Sequence, residues 1–131
     1  MPSLFPSKQT PPPPDEPLVI DYDDPRILDV MSQEHLRYIL MNAAHDQLVV
    51  AMFYEDGCES CFKMKPVYKA LVETYQGVLF VRGDIYHNYE TSLSLNLKYL
   101  PTFLCFKNSI EEGRKDGENE EDLIAMVASL A

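Results

Sequence analysis

The chain has 131 residues, a length that fits a single domain. Acidic side chains outnumber basic ones by 21 to 11, so we expect neither nucleic acid nor an anionic membrane surface as a partner. No apolar run approaches the ~18 residues that a membrane span needs. Three cysteines are too few for a secreted disulfide framework, and the first ten residues lack the apolar stretch of a signal peptide. We therefore expect a cytoplasmic protein that does not contact a membrane.

The prolines divide the chain into three parts. Seven of the ten prolines lie in residues 1–17, and this composition favours an extended conformation that cannot bury apolar area. We interpret 1–17 as a Pro-rich flexible tail, 18–25 as an acidic entry loop and 26–131 as the folded domain. Two roles fit the tail: docking to an aromatic groove of a partner, or acting as a stiff solubilising leader, which is the simpler interpretation.

The folded part begins with alternating strands and helices. An apolar run over 27–31 predicts a strand, and Ser32 is suited to be the N-cap of a helix whose apolar residues recur at helical spacing. The continuous apolar run 48–54 predicts a strand covered on both faces. A second helix follows, and Gly77 is predicted to end it.

The second half continues the same alternation and closes with a hairpin and a helix. The predicted elements are, in order, a strand at 78–81 that runs to near Asp84, a short helix and loop within 86–97, a hairpin of 102–106 and 110–115 turned at Asn108-Ser109, and a last helix capped by Asn119. The order βαβαβ(α)ββα predicts an α/β fold with a central mixed sheet and helices on both faces.

Cys58 and Cys61 form a C-x-x-C pair between the predicted strand 48–54 and the following helix. The first sulfur is expected at the helix N-terminus, where unpaired N–H groups and the helix dipole favour a thiolate, and the second lies one turn inside. This arrangement allows Cys58 to attack a disulfide and Cys61 to resolve the resulting mixed disulfide. No bound cofactor is needed for such chemistry.

A zinc site is the main alternative for the cysteine pair. Structural zinc requires four Cys or His ligands, usually in two close pairs. The third cysteine, Cys105, stands alone in an apolar strand, and the three histidines are scattered along the chain. The sequence therefore predicts no metal site, and Cys105 is expected to be a small buried apolar residue.

With these features in place, residues 26–131 resemble a thioredoxin. The residues that carry the resemblance are Phe53, Tyr54, Cys58, Cys61, Pro66, Asp84, the segment 100–108 and Gly117. The resemblance implies a thioredoxin fold and a thiol–disulfide oxidoreductase that acts on protein disulfides and receives electrons from a thioredoxin-reductase-type donor. It also implies that Pro101 is cis and that Leu100 offers its N–H and C=O to the substrate polypeptide. Tyr54 and Gly57, which replace the family's tryptophan pair, complete the implied substrate-binding set.

The residues around the cysteines depart from the family pattern. Glu59 and Ser60 replace the usual residues between the two cysteines, and these positions tune the redox equilibrium. Glu55, Asp56 and Glu59 place carboxylates close to Cys58, and like charge disfavours a thiolate. We therefore expect the Cys58 thiol to be less acidic than in an ordinary thioredoxin, with Asp56, Glu59 and Ser60 as redox-tuning residues.

Two further departures concern the surroundings of Cys61. Met52 stands where the typical family member has a buried aspartate that assists proton transfer to or from the second thiol, so we expect slower release of the mixed disulfide. Phe62 stands where the family has a lysine, and the sequence leaves open whether its ring is exposed to a partner or packed.

A second hypothesis comes from a different functional class. In it, the chain is a thioredoxin-like docking or redox-sensing subunit of a larger assembly, of the kind found as light chains of ciliary dynein arms. The Pro-rich leader and the net charge of −10 fit that hypothesis. In this case the cysteine pair would have little catalytic activity.

Overall fold

The structure is a computed structural model, and it describes residues 19–20 and 24–131. The predicted Pro-rich tail, 1–17, lies outside the described residues. The predicted acidic loop lies partly outside them, at 18 and 21–23.

Within the described residues, five strands and four helices follow one another in the predicted order. They are β1 (Ile27–Asp29), α1 (Gln33–Asn42), β2 (Val49–Tyr54), α2 (Glu59–Thr74), β3 (Leu79–Asp84), α3 (Tyr89–Ser94), β4 (Thr102–Lys107), β5 (Ile110–Asp116) and α4 (Glu120–Leu130). The predicted α/β class is therefore confirmed, with β1 shorter at its end than the apolar run 27–31 indicated.

The strands form one mixed sheet in the order β1-β3-β2-β4-β5. The pairs β1–β3 and β2–β3 are parallel, whereas β2–β4 and β4–β5 are antiparallel. β2 therefore lies in the centre, and its carboxyl end leads directly to the cysteine pair. An irregularity between Cys105 and Phe106 shifts the register of β4 against β5.

Alternate side chains of β2 enter two separate buried clusters, one on each face of the sheet. Val50, Met52 and Tyr54 pack in the cluster that also holds residues of α2 and α4. The intervening β2 side chains pack with residues of α1 on the opposite face. All six residues of β2 are buried, which is the pattern expected of a strand covered on both sides.

Local capping signals account for several element boundaries. The Ser32 side chain accepts a hydrogen bond from His35 N–H, and the Asn119 side chain accepts one from Asp122 N–H, both at 3.0 Å. Asn108 and Ser109 both have positive φ (52° and 66°), as a two-residue hairpin turn requires. These three predictions are confirmed.

The predicted end of the second helix was wrong. α2 ends at Thr74, and the C-cap residue is Tyr75, whose N–H donates to Leu71 C=O at 2.9 Å. Gly77 lies two residues beyond this cap, in a turn closed by a hydrogen bond from Val78 N–H to Tyr75 C=O. The tyrosine ring packs against the buried cluster, so tertiary contacts end the helix before the glycine is reached.

Candidate redox site

Cys58 and Cys61 are joined by a disulfide at the start of α2. Cys58 is the N-cap residue, with extended backbone (φ −83°, ψ 110°), and the helix begins at the next residue. The Cα atoms of the pair lie 5.2 Å apart. The Cys61 N–H donates to Cys58 Sγ at 3.1 Å, so a helix N–H that would otherwise lack a partner points at this sulfur. The sequence prediction that the pair opens a helix is confirmed.

The two sulfurs differ in their access to solvent. Cys61 is completely buried, whereas Cys58 is partly exposed and packs against the edge of the same cluster. An incoming disulfide can therefore reach the first sulfur more easily than the second. The helix N-terminus stabilises negative charge on that first sulfur when the pair is reduced.

Residues 55–58, termed here the redox loop, connect β2 to α2. The loop is fixed at one end by a hydrogen bond from Ile85 N–H to Tyr54 C=O (2.9 Å) and closed on itself by one from Cys58 N–H to Glu55 C=O (3.3 Å). Gly57 has φ +89°, a backbone conformation that favours glycine, although its surroundings leave space for a side chain. Glu55, Asp56 and Glu59 are exposed.

Asp56 makes a contact that the sequence analysis did not find. Its Oδ1 accepts a hydrogen bond from the backbone N–H of Ile20 at 2.9 Å, across 36 positions of sequence. The Ile20 C=O in turn accepts a hydrogen bond from Arg82 of β3. The available signal was the apolar sequence 18–20 in an otherwise polar entry segment, but nothing in it indicated which part of the fold Ile20 contacts.

The peptide bond between Leu100 and Pro101 is cis, as the resemblance implied. Pro101 C=O accepts a hydrogen bond from Gly117 N–H at 2.8 Å, which joins this segment to the residues that follow β5. In the described part of the chain, the backbone N–H and C=O of Leu100 take part in no backbone hydrogen bond. Leu100 is partly exposed, and its side chain packs against both buried clusters.

The two departures from the family pattern that surround Cys61, Met52 and Phe62, are buried and partly buried, respectively. Met52 is fully buried in the cluster that contains Cys61, with Arg82 and Phe103 as its register partners on the two neighbouring strands. Phe62 is partly buried and packs against the same cluster, which answers the question that the sequence left open.

Burial raises the pKa of two side chains near the sheet centre. The pKa of the Tyr54 phenol is raised to about 12, chiefly because burial disfavours the phenolate, and the neighbouring Arg82 guanidinium opposes this effect. Burial also raises the pKa of the Cys105 thiol to about 12. Cys105 is thus the small buried residue that its apolar strand predicted. Tyr54 is only 6% exposed.

The described residues contain neither a metal-ligand cluster nor a helix able to span a membrane. Across 19–20 and 24–131, no group of three His, Cys, Asp or Glu side chains is arranged to hold a metal ion. Over the same ranges, no helix has the length and apolar character to cross a membrane.

Comparison with known proteins identifies close relatives in sequence and in structure. The family profile described as Thioredoxin matches residues 28–129. Human thioredoxin is 33% identical over 90 residues, which is 69% of this chain and 86% of that protein. Reduced Schistosoma mansoni thioredoxin pre-protein is 26% identical with a TM-score of 0.75, covering 80% of this chain and 98% of that one. Fasciola hepatica thioredoxin, 23% identical, has the same fold, with a TM-score of 0.77 over 80% of this chain and all of its own.

The geometry and the relatives agree on the chemistry. A disulfide between Cys58 and Cys61 opens a helix at the end of the central strand, followed later in the chain by a cis proline. Such a pair accepts or donates two electrons by exchange with other disulfides and thiols, which makes the chain a thiol–disulfide oxidoreductase. The fold, the family profile and the identity to human thioredoxin together show that the chain belongs to the thioredoxin family.

Proposed function

We propose that the protein reduces disulfides of other proteins, with Cys58 as the attacking thiol and Cys61 as the resolving thiol. The observation that carries this assignment is the difference between the two sulfurs. Cys58 is partly exposed at the helix N-terminus, and Cys61 is fully buried beside it. A substrate disulfide therefore meets Cys58 first, and Cys61 completes the reaction from inside the protein.

The reaction proceeds in two exchange steps. The Cys58 thiolate attacks one sulfur of the substrate disulfide, an intermolecular disulfide forms, and the other substrate sulfur leaves as a thiolate. The Cys61 thiolate then attacks Cys58 Sγ, which forms the Cys58–Cys61 disulfide and releases the second substrate sulfur. The substrate gains two electrons and takes up two protons, and the protein loses two electrons and two protons. A dithiol donor of the thioredoxin-reductase type restores the reduced pair.

The substrate polypeptide docks along Leu100 and Pro101. The backbone N–H and C=O of Leu100 are available for strand-like pairing, since no backbone partner is found for them within the described residues. Gly57 in the redox loop is exposed, so it is accessible to a docked substrate. Tyr54 is buried, so it contributes little area to the docking surface.

Asp56, Glu59 and Ser60 tune the redox equilibrium of the pair. Glu59 is the first residue of α2 and is exposed, and Ser60 is partly exposed between the two cysteines. The Glu59 carboxylate opposes a thiolate on Cys58, whereas the helix dipole favours it. The carboxylate of Asp56 is engaged by Ile20, so its influence differs from that of a free surface charge.

The family match favours an oxidoreductase over a docking subunit of a larger assembly. A partner for the Pro-rich segment is not needed for the proposed reaction. The decisive experiment separates catalysis from docking and assigns each cysteine its role.

The assay is reduction of insulin disulfides by the purified protein with dithiothreitol as electron source. Wild type is expected to act faster than dithiothreitol alone, Cys58→Ser to be inactive, and Cys105→Ser, the matched control, to keep full activity. When it is reduced, freed of dithiothreitol and then mixed with insulin, the Cys61→Ser variant is expected to trap a mixed disulfide at Cys58 that mass spectrometry detects. A mixed disulfide trapped instead at Cys61, in the Cys58→Ser variant, would reverse the two roles. A wild type no faster than dithiothreitol alone would contradict the proposed activity.

The docking edge is tested with two substitutions at one position. Leu100→Pro removes the backbone N–H, and Leu100→Ala shortens the side chain but keeps that N–H. We expect Leu100→Pro to raise the KM for insulin severalfold more than Leu100→Ala does. Equal KM values for the two folded variants would show that the backbone of Leu100 does not bind the substrate.

A further inference from the structure

Ile20 connects the redox loop to the sheet, although it is distant from both in sequence. The residue is 1% exposed and packs in the buried cluster that contains Tyr54 and Cys61. Its N–H donates to Asp56 Oδ1 at 2.9 Å, and its C=O accepts a hydrogen bond from Arg82. Both backbone groups of one residue are thus used, one toward the redox loop and one toward β3.

Arg82 fixes the far end of this connection. Its Nε donates to Asp29 Oδ1 of β1 at 2.6 Å, and its guanidinium carbon lies 5.5 Å from the centre of the Tyr54 ring. The Arg82 side chain is only 14% exposed. Because the guanidinium is held by the Asp29 carboxylate of β1 and the Tyr54 ring of β2, it offers Ile20 a rigid attachment point.

The middle of the redox loop is supported by the hydrogen bond between Ile20 and Asp56. Its ends are held by the hydrogen bonds at Tyr54 and Cys58 described above. Gly57 lies between them with positive φ and with no atom within 4 Å of the position a Cβ would take, so packing does not restrain it. The Asp56 carboxylate is the group through which the middle of the loop contacts Ile20.

We infer that Ile20 is a positioning residue for the redox reaction: its hydrogen bond to Asp56 restricts the redox loop in the dithiol form and so keeps Cys58 close to Cys61. A restricted pair has a higher effective concentration of one thiol at the other, which favours the disulfide. The inference rests on the redox role of the pair but not on which proteins are its substrates.

The relevant equilibrium is the exchange of the protein with glutathione. Two glutathione thiols reduce the Cys58–Cys61 disulfide and are themselves oxidised to one glutathione disulfide, with two electrons and two protons passing to the protein. The measurement is made at pH 6, where the carboxylates near Cys58 disfavour a thiolate, so that the charge of Asp56 has little influence on this equilibrium constant. Asp56 then tunes the equilibrium through its hydrogen bond to Ile20, which restricts the loop.

The experiment measures this equilibrium constant at pH 6 in glutathione buffers. Two variants lose the contact: Asp56→Ala, and a chain lacking residues 1–20. Two matched controls keep it: Asp56→Asn, whose side-chain oxygen still accepts the Ile20 N–H, and a chain lacking residues 1–18. Far-UV circular dichroism checks that each chain is folded, and Asp56→Ala alone decides the result if the shortened chain is not.

We expect both variants that lose the contact to favour the dithiol about fivefold more than wild type does. This factor corresponds to the low end of the free energy that ordering the backbone of one residue costs. For a two-electron couple a tenfold change corresponds to about 30 mV, so this shift is measurable. Both controls should stay within twofold of wild type. Combining Asp56→Ala with removal of 1–20 should add nothing further, since both changes remove the same contact.

Three results would overturn the inference. The first is that the variants lacking the contact have equilibrium constants within twofold of the wild-type value. The second is that Asp56→Asn changes the equilibrium constant as much as Asp56→Ala does. The third is that the effects of Asp56→Ala and of removing 1–20 add in the combined variant. Because none of these measurements uses a protein substrate, a failure here is distinct from a failure of the proposed activity in the insulin assay.

Discussion

Met52 provides a direct test of how this site handles the proton of Cys61. Its side chain is fully buried in the cluster that contains Cys61, at a position where the resemblance to thioredoxins implies a carboxyl group. Replacing Met52 by Asp introduces that carboxyl. Replacing it by Asn introduces a side chain of nearly the same shape that cannot exchange a proton, so the two variants differ only in acid–base chemistry.

The cost of both substitutions follows from the burial of Met52. Truncating a buried methionine costs about 2–5 kcal/mol, and a buried polar group without a full set of partners adds about 1–3 kcal/mol. Both variants should therefore lose several kcal/mol of unfolding free energy relative to wild type. Natural domains are stable by about 5–15 kcal/mol, so measurements at low temperature and without denaturant are required.

The Asp variant should show a pH dependence that the Asn variant lacks. Burial raises the pKa of a carboxyl above its unfolded value of about 3.9. The folded state then disfavours the ionised form, so the Asp variant is most stable below about pH 4 and loses stability as the pH rises toward the folded pKa. A rise of two units corresponds to about 2.7 kcal/mol. Arg82, the register partner of Met52 on β3, would reduce this loss.

The functional consequence is measured with an aromatic disulfide reagent that releases a coloured thiolate. Reduced protein releases one equivalent when Cys58 attacks the reagent and a second when Cys61 resolves the mixed disulfide. General acid–base catalysis contributes about 10²–10⁴-fold, so at pH 7 we expect the second release to be at least tenfold faster in Met52→Asp than in Met52→Asn. Equal second-phase rates in the two folded variants would refute the idea that a proton acceptor at this position limits resolution.

Other features of the structure give shorter predictions. In a Cys61→Ser chain, alkylation of Cys58 by iodoacetamide should have a midpoint above pH ~7, and a midpoint well below that value would contradict the expected effect of the nearby carboxylates. Cys105, whose pKa burial raises to about 12, should resist iodoacetamide at pH 8 in the folded protein and react fully in urea, as counted by mass spectrometry. The hydrogen bond from the Arg26 side chain lowers the pKa of Asp24 well below its ordinary value of 3.8. Its contribution to stability is therefore fully present above 3.8 and is lost progressively as the pH falls from there through the lowered pKa of the folded state, so Asp24→Asn should lower the melting temperature more at pH 7 than at pH 2.

The parts of the fold that the sequence predicted correctly depend on contacts between near neighbours. Ser32 and Asn119 each cap a helix through a residue three positions away, and the turn at Asn108-Ser109 is decided by two backbone conformations. The cysteine pair belongs to the same class, because a spacing of three at a helix start brings both sulfurs together whatever the rest of the chain does. Gly77 was misread because a local glycine signal competed with packing of the Tyr75 ring.

The connection through Ile20 shows why the remaining part of the site could not be predicted. Its two hydrogen bonds span 36 and 62 positions of sequence, and neither leaves a periodic pattern. A backbone N–H and C=O carry almost no residue-type signal, since every residue except proline would offer both at position 20. What selects Ile20 is its apolar side chain, which is buried among residues of the sheet and α2 and thereby places its peptide groups between Asp56 and Arg82. Hydrophobic packing of the Ile20 side chain therefore positions its N–H to bind Asp56 in the redox loop. Because this packing forms only in the folded chain, the hydrogen bond could not be predicted from the sequence.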